Sequence, residues 1–380
     1  MTELAISDEY FNRSAAIVAG QPEYNKPVRY GVFAREPGMV CGADPAVEFI
    51  ERHSQGSLTI KARRDGQTFL AQEAVMVIEG RFGELVTLET TYLGLLSLSG
   101  GASRMAEIVA AAGEASVVDM SPRHFPPEMI EGIAYAAAIG GARGTSTQQG
   151  QRFVLERLGT GQGDAIRVGL REPIEYKVYG SIPHALNAIY TGSSIDSARA
   201  YHEKFPSIPL TVLIDFEGRE LEIAREAVRV FGKELFAVRI DTHGGRVHQG
   251  GHEQPVAALV EEIIGRAEDK QAARAGLDRY GFGKGVTIES AYNVRRALDE
   301  AGGRHVKILV SSGFTLEKVK AFRACRAPMD AIGTGSWVEF MMFTSDITHV
   351  YEGGQWIPRG KYMRGEEITV PQLEIRVQRE

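Results

Sequence analysis

Arg239 and Asp241 stand two residues apart where the apolar run Leu235–Ile240 ends, and similar groups follow other apolar runs of the chain. Pro209–Phe216 reaches Asp215, with Glu217 two residues further on. Lys307–Val310 runs into Ser311-Ser312-Gly313, and Met329–Ile332 into Gly333-Thr334-Gly335-Ser336. Upstream, Ser116–Met120 is followed by Ser121-Pro122-Arg123-His124, and Tyr176–Tyr179 by Gly180-Ser181-Ile182-Pro183-His184. Arginines neutralise phosphate through paired N–H donors. Carboxylates accept hydrogen bonds from sugar hydroxyls or hold magnesium, which prefers oxygen ligands. Small-residue loops let backbone N–H groups close on a phosphate. Such a set suits a phosphorylated sugar, with catalysis mainly by electrostatic stabilisation of a cationic sugar centre and its leaving group. Each member also has an ordinary structural role. An aspartate such as Asp215 at a strand end often caps the next helix, and Gly/Ser stretches are turns before they are binding sites. The set is more specific than any of its members.

For these residues to meet, the runs must be parallel strands, because ligands bind at the C-terminal ends of strands in α/β folds. The spacing supports this. After Pro209–Phe216, residues Leu221, Ala224, Val228 and Phe231 recur at helical period until Gly232 stops them. Helical segments are likewise predicted from about Glu128 to Ile139 and over Leu316–Cys325. Repeated βα units with wholly apolar strands imply a parallel sheet covered by helices. Periodicity alone does not decide between a closed barrel and an open sheet. The first hundred residues read differently. Ser57–Ala62, Thr68–Ala71 and Ala74–Glu79 are predicted strands, with Asp65-Gly66 as a hairpin turn between the first two. Helices follow over Thr87–Ser97 and from Gly100-Gly101 through Ala112. Gly281–Gly285 follows a charged helix and reads as a loop.

Composition sets the limits. With 380 residues the chain suits two domains, and 43% hydrophobic and 24% charged residues are ordinary for a soluble globular protein. A net charge of −6 with interspersed signs argues against nucleic acid as a partner. Two cysteines, Cys41 and Cys325, exclude a disulfide framework and a four-cysteine zinc site. No signal pattern and no membrane-length apolar run occur, so a cytoplasmic protein without a membrane partner is expected.

Many motifs, in order, resemble the nicotinate phosphoribosyltransferases of the type II phosphoribosyltransferase class. The opening Ser7–Ser14 resembles the family's N-terminal D-x-Y segment, and Arg35–Gly42 its R-x-P-G turn. Ile78–Ser97 resembles the domain junction, Val117–Pro127 the D-F-G-x-R-R-x-H-P segment, and Ala136–Thr147 the G-G-x-x-G-T-S-N segment. Gly180–Ala185 is similar to G-T-x-x-H, and Val238–Thr242 to V-R-x-D-S/T. The run from Val294 to Val338 follows the closing pattern, and Asp346–Tyr362 resembles a strand ending in a basic K-R-G.

The resemblance implies an α/β barrel over residues 113–340 and an N-terminal, mostly β, α+β domain over 1–112, joined by the tail 341–380. It implies transfer of a phosphoribosyl group from phosphoribosyl pyrophosphate to nicotinate, with ATP as co-substrate and Mg2+ as cofactor. His184 would be the active-site histidine that accepts a phosphoryl group. Arg239 and Asp241 would contact substrate, Asp241 at the ribose hydroxyls. Arg123 would meet the ring carboxylate or the pyrophosphate, and Thr145 and Ser146 would lie beside the nicotinate carboxylate. Gly313, Gly333, Thr334 and Gly335 would cradle the 5′-phosphate. Asp215 would serve substrate or, with Glu217, the metal. Tyr10 or Phe11 would stack on the ring from a neighbouring subunit, making a homodimer or larger homo-oligomer with shared sites.

The chain departs from the family in three places. Asp119–His124 lacks the aromatic residue and the second arginine of D-F-G-x-R-R, and Asp215–Gly218 has glutamate inside a D-x-x-D position. The stretch 244–286 is longer than usual and reads as a structural insertion or a lid. Quinolinate and nicotinamide are the alternative bases. The first needs a denser basic cluster and no ATP-coupling histidine; the second, an aspartate where this chain has Ser146. A phosphoribosyl-binding relative without turnover is the remaining alternative.

Overall fold

The computed structural model describes residues 6–169, 171–361 and 368–380. Seven strands form a parallel sheet: β1 Ser116–Asp119, β2 Gly144–Thr145, β3 Lys177–Val178, β4 Leu210–Leu213, β5 Leu235–Ile240, β6 Lys307–Val310 and β7 Ala331–Thr334. Their order across the sheet is β3-β2-β1-β7-β6-β5-β4, so chain order runs around the curl with one break. Among the described residues β3 and β4 do not pair. The sheet is therefore a half-barrel, open where a closed barrel would have its last seam. The physical reason lies in β3, which is two residues long with both of them exposed. Even its pairing with β2 needs a glycine, since a Cβ on Gly144 would sit 2.0 Å from the Lys177 carbonyl oxygen.

The inner strands β1, β6 and β7 each bury three of their four residues, as a sheet covered on both faces requires. Helices Ile130–Ile139, Glu220–Phe231, Ile288–Glu300 and Leu316–Ala324 share one continuous apolar core with them. Each fully buried aliphatic side chain there contributes about 1.5–3 kcal/mol by leaving water. The stretch 244–286 supplies two further helices, Ala257–Arg266 and Lys270–Tyr280. Its loop is pinned to the barrel by Arg246 on Glu220 at 2.6 Å and His252 on Glu289 at 2.6 Å.

A second, antiparallel sheet of six strands joins the two ends of the chain. Its order is Gln355–Pro358, Phe343–Glu352, Pro27–Ala34, Ala74–Arg81, Leu58–Ala62 and Glu374–Arg379. The hairpin expected at Asp65-Gly66 does not form: Thr68–Phe69 pairs with Gly38–Met39, and Leu58–Ala62 pairs with Ala74–Arg81. The Asp65 carboxylate instead accepts the Gly42 and Ala43 backbone N–H groups at 3.0 and 2.8 Å, satisfying the first turn of helix Ala43–His53. Tyr135 of the barrel also donates to it at 2.7 Å, tying the two layers together. Among the described residues no helix is long and apolar enough to cross a membrane.

Candidate active site

The strand ends open into a cleft of about 1160 Å³. Arg239, near the end of β5, and Asp241, just beyond it, share a face because side chains alternate along a strand. The Arg239 guanidinium donates to Asp241 Oδ2 at 2.5 Å, to Ser181 Oγ at 2.7 Å and to Ser311 Oγ at 3.1 Å. Ser311 closes the circuit by donating to Asp241 Oδ1 at 2.7 Å. This arginine is thus held on three sides, with its side chain only 13% exposed. A guanidinium whose donors are already engaged is a fixed positive field rather than a mobile clamp.

His184 begins the short helix His184–Ile189, and its Nε2 lies 2.9 Å from Asp215 Oδ2. Its Nδ1 is 4.0 Å from Asp241 Oδ2. Asp215 does not cap the following helix, whose N-cap is Arg219. Its carboxylate is nearly buried beneath the histidine, and Asp215 Oδ1 has no hydrogen-bond partner among the described residues. A buried carboxylate against one ring nitrogen fixes the tautomer, leaving Nδ1 with the lone pair.

The opposite part of the lining is largely backbone. Ser312 and Gly313 both take positive φ, 75° and 69°, and with Gly333 and Gly335 they line the cleft. Small-residue loops of this kind let backbone N–H groups approach an anion. Gly333 leaves room for the Met120 thioether, because a Cβ there would come within 2.4 Å of the Met120 sulfur and force that side chain to shift. Thr334 lies under this floor and donates to the Phe314 carbonyl at 2.7 Å, joining the two small-residue loops. Asp119, at the end of β1, is a hub. It accepts from the Ser121 backbone and hydroxyl, from Thr145 at 3.0 Å and from Trp337 at 3.1 Å. Burial pushes its carboxyl up, against four bonds that favour the charged form.

Of the residues singled out from sequence, the structure brings His184, Arg239, Asp241, Arg123, Ser146, Gly313, Gly333 and Gly335 to one cleft. Asp215 sits behind His184. Thr145 and Thr334 are buried, their hydroxyls spent on Asp119 and on Phe314. Glu217 turns away: it accepts from the Ser194 backbone N–H at 2.8 Å and lies 3.5 Å from Arg219. The N-terminus of helix Ser194–Lys204 favours the carboxylate there. Asp215 and Glu217 therefore do not converge as a metal pair. Among the described residues no three His, Cys, Asp or Glu side chains gather as a metal cluster. Tyr10 and Phe11, on helix Glu9–Val18, line a separate cleft of about 410 Å³ beside Glu89 and Lys361. Ser181 and Ser311, which the sequence places in the strand-end loops without a role, hold Arg239; His243, not anticipated, also lines the cleft. Ser311 immediately follows its apolar run and Ser181 follows its own one residue later, after Gly180, which is the signal that put them at the strand ends.

Residues 8–99 match the family model of the quinolinate phosphoribosyl transferase N-terminal domain. Nicotinate-nucleotide pyrophosphorylase from Pyrococcus furiosus is similar at 26% identity over 94% of this chain and 77% of its own, with a TM-score of 0.70. Human nicotinic acid phosphoribosyltransferase is similar at 15% identity over 93% of this chain and 75% of its own, with a TM-score of 0.59. NadC from Streptococcus pyogenes is similar at 17% identity over 94% of this chain and 99% of its own, with a TM-score of 0.55. No curated protein matches the chain by sequence. A curled parallel half-barrel with a mostly β N-terminal domain is the fold of type II phosphoribosyltransferases, and this chain has it.

Proposed function

We propose that this protein is a phosphoribosyltransferase of NAD metabolism that joins nicotinate to phosphoribosyl pyrophosphate, giving nicotinate mononucleotide and pyrophosphate with ATP hydrolysis. The observation that carries this reading is the two-sided cleft. Arg239, Asp241 and His184 form a polar set, while Ser312, Gly313, Gly333 and Gly335 offer backbone for a phosphate. Asp241 would take the ribose hydroxyls and Arg239 would stabilise the departing pyrophosphate. His184 would accept a phosphoryl group from ATP at Nδ1, since Nε2 is committed to Asp215.

Nicotinate is favoured as the base by the supply of cations. The arginines lining the cleft are Arg123 and Arg239, and Arg239 is already engaged by Asp241 and two serines. Arg123, which is exposed, is then the guanidinium left for a ring carboxylate. One carboxylate suits it better than the two of quinolinate. Quinolinate remains the second reading because of the N-terminal family match. Magnesium takes one or two carboxylates plus substrate phosphates and keeps several waters. Asp241 is the cleft carboxylate that would meet a metal arriving with the diphosphate, whereas the lining does not fit a metal caged by protein alone.

Incubation with magnesium, phosphoribosyl pyrophosphate and nicotinate, quinolinate or nicotinamide, with and without ATP, tests the reading by product identification. Nicotinate mononucleotide from nicotinate, faster with ATP, is expected. Product from quinolinate alone would overturn the choice of base, and no product from any base would overturn the transferase.

Tyr10 and Phe11 do not line this chain's own cleft, and the exposed position of Tyr10 suits service to a neighbour's. Mixed Tyr10→Ala and Asp241→Ala subunits should then regain part of the activity through one intact hybrid site. No recovery after verified subunit exchange would show that each site is built from one chain.

A further inference from the structure

Lys318 lies in the first turn of helix Leu316–Ala324, directly behind the Ser311-Ser312-Gly313 loop, and is only 8% exposed. Its ammonium donates to the Ser312 carbonyl at 3.1 Å and lies 4.5 Å from the Phe314 ring centroid and 5.9 Å from that of Phe322. Among the described residues it makes no ion pair. The helices packed on its own carry Lys270, Arg274, Asp278 and Arg279 on one side, and Arg104 and Glu107 on the other. Its own helix carries Glu317, Lys320 and Arg323. Asp278 and the two glutamates do not bond to it, and burial alone pushes its amine down to about 8. A buried cation without a carboxylate, at the helix end that repels positive charge, is unfavourable twice over. A nearby bound anion would offset both costs.

We propose that Lys318 is the positioning residue of the phosphate loop, holding the Ser312 carbonyl away from the cleft while its buried charge strengthens binding of a phosphate monoester dianion. The proposal rests on the reading of the cleft as a phosphoribosyl site. Ser312 takes an uncommon left-handed conformation for a residue with a side chain, and a donor pulling on its carbonyl helps to fix it. The same ammonium bonds the Ser312 carbonyl from behind the Ser312-Gly313 segment, which lines the cleft. Linkage then requires that anion binding favour the charged amine and that affinity fall as the amine loses its proton.

The test is the affinity of the full-length protein for ribose 5-phosphate, with inorganic phosphate as a second probe, measured by calorimetry between pH 7 and pH 9.5. Wild-type affinity should hold to about pH 8 and weaken above it, with protons taken up on binding near that pH. Lys318→Met should bind about tenfold more weakly at pH 7 with a flat profile over the same range. It should melt no lower than wild type, because charging an amine held below its ordinary range costs stability at neutral pH. Lys318→Arg should keep neutral-pH affinity and lose the alkaline fall. The flat profile of Lys318→Met also separates Lys318 from the cleft histidines, which it leaves in place. Wild-type binding that is independent of pH and takes up no protons would overturn the role of Lys318 alone, even if the variants fail to fold. Absence of binding by either probe would overturn the phosphate loop itself, and with it the phosphoribosyl reading.

Discussion

The two parts of the cleft are built by different means. Around Arg239 the charged groups are held by other side chains: Asp241, Ser181 and Ser311 on the arginine, Asp215 on His184 Nε2. Around Met120, Arg123 and His124 the cleft is bounded by a short Pro-containing turn whose Arg123 and His124 side chains are exposed. The engaged part sits on strand ends, and the exposed part on a loop. A fixed field suits the step common to all phosphoribosyl transfer, because preorganised charge costs no reorganisation as the sugar centre becomes cationic. A loop is free to differ in which ring it accepts. This chain differs from the family pattern it resembles at this loop and at Asp215–Gly218, while its Arg239–Asp241 set does not.

The contrast breaks most visibly at Asp241. Asp241→Asn leaves a nearly buried guanidinium without its counter-charge, which costs about 2–5 kcal/mol. A fall of roughly 10²- to 10³-fold in kcat/KM for pyrophosphate release is expected. A fall under about threefold would show that the network is not where the transition state is stabilised. Next in size, His184→Ala should abolish stimulation by ATP and leave slow transfer. Asp215→Asn should lower the stimulated rate by about 10²-fold, since it frees the tautomer. ATP stimulation that survives in His184→Ala would remove the phosphoryl-acceptor role. On the exposed side, Arg123→Ala should raise KM for the base about 10- to 100-fold, the worth of one charge-assisted bond. The KM for phosphoribosyl pyrophosphate should stay put; if it rises equally, Arg123 serves the pyrophosphate instead. The smallest effect belongs to the floor shared by both parts. Gly333→Ala would press a methyl on the Met120 sulfur and cost about 1–3 kcal/mol, lowering the melting temperature by several degrees. Met120→Ala in the same chain should restore part of that loss, and no restoration would place the strain elsewhere.

Much of this site was legible before any coordinates. The apolar runs 235–240 and 307–310 are strands with the bounds read from sequence, since mostly buried runs of four to six residues flanked by turn formers have few alternatives. The i, i+2 spacing of Arg239 and Asp241 already placed them on one face. The Asp65-Gly66 turn misled because a local signal cannot say that a carboxylate will find the N-terminus of a helix that begins 22 residues earlier. Glu217 misled in the same way, its oxygen being taken by the amide of Ser194, 23 residues upstream.

The sequence by itself thus determined the apolar strands at whose ends the site lies, several of the helices that cover them and the residue types carried there, because hydrophobic period and turn chemistry are local. Only the tertiary structure decided which of those residues share a cleft. It set Asp215 under His184 across 31 residues, sank Thr145 and Thr334 beneath the floor, and left the barrel open between β3 and β4. It also brought Lys318 behind the phosphate loop, where a lysine read from sequence is only a solvated charge on a helix. The reason is that burial and hydrogen-bond partnership belong to the packed chain, and those two quantities decide what a polar group can do.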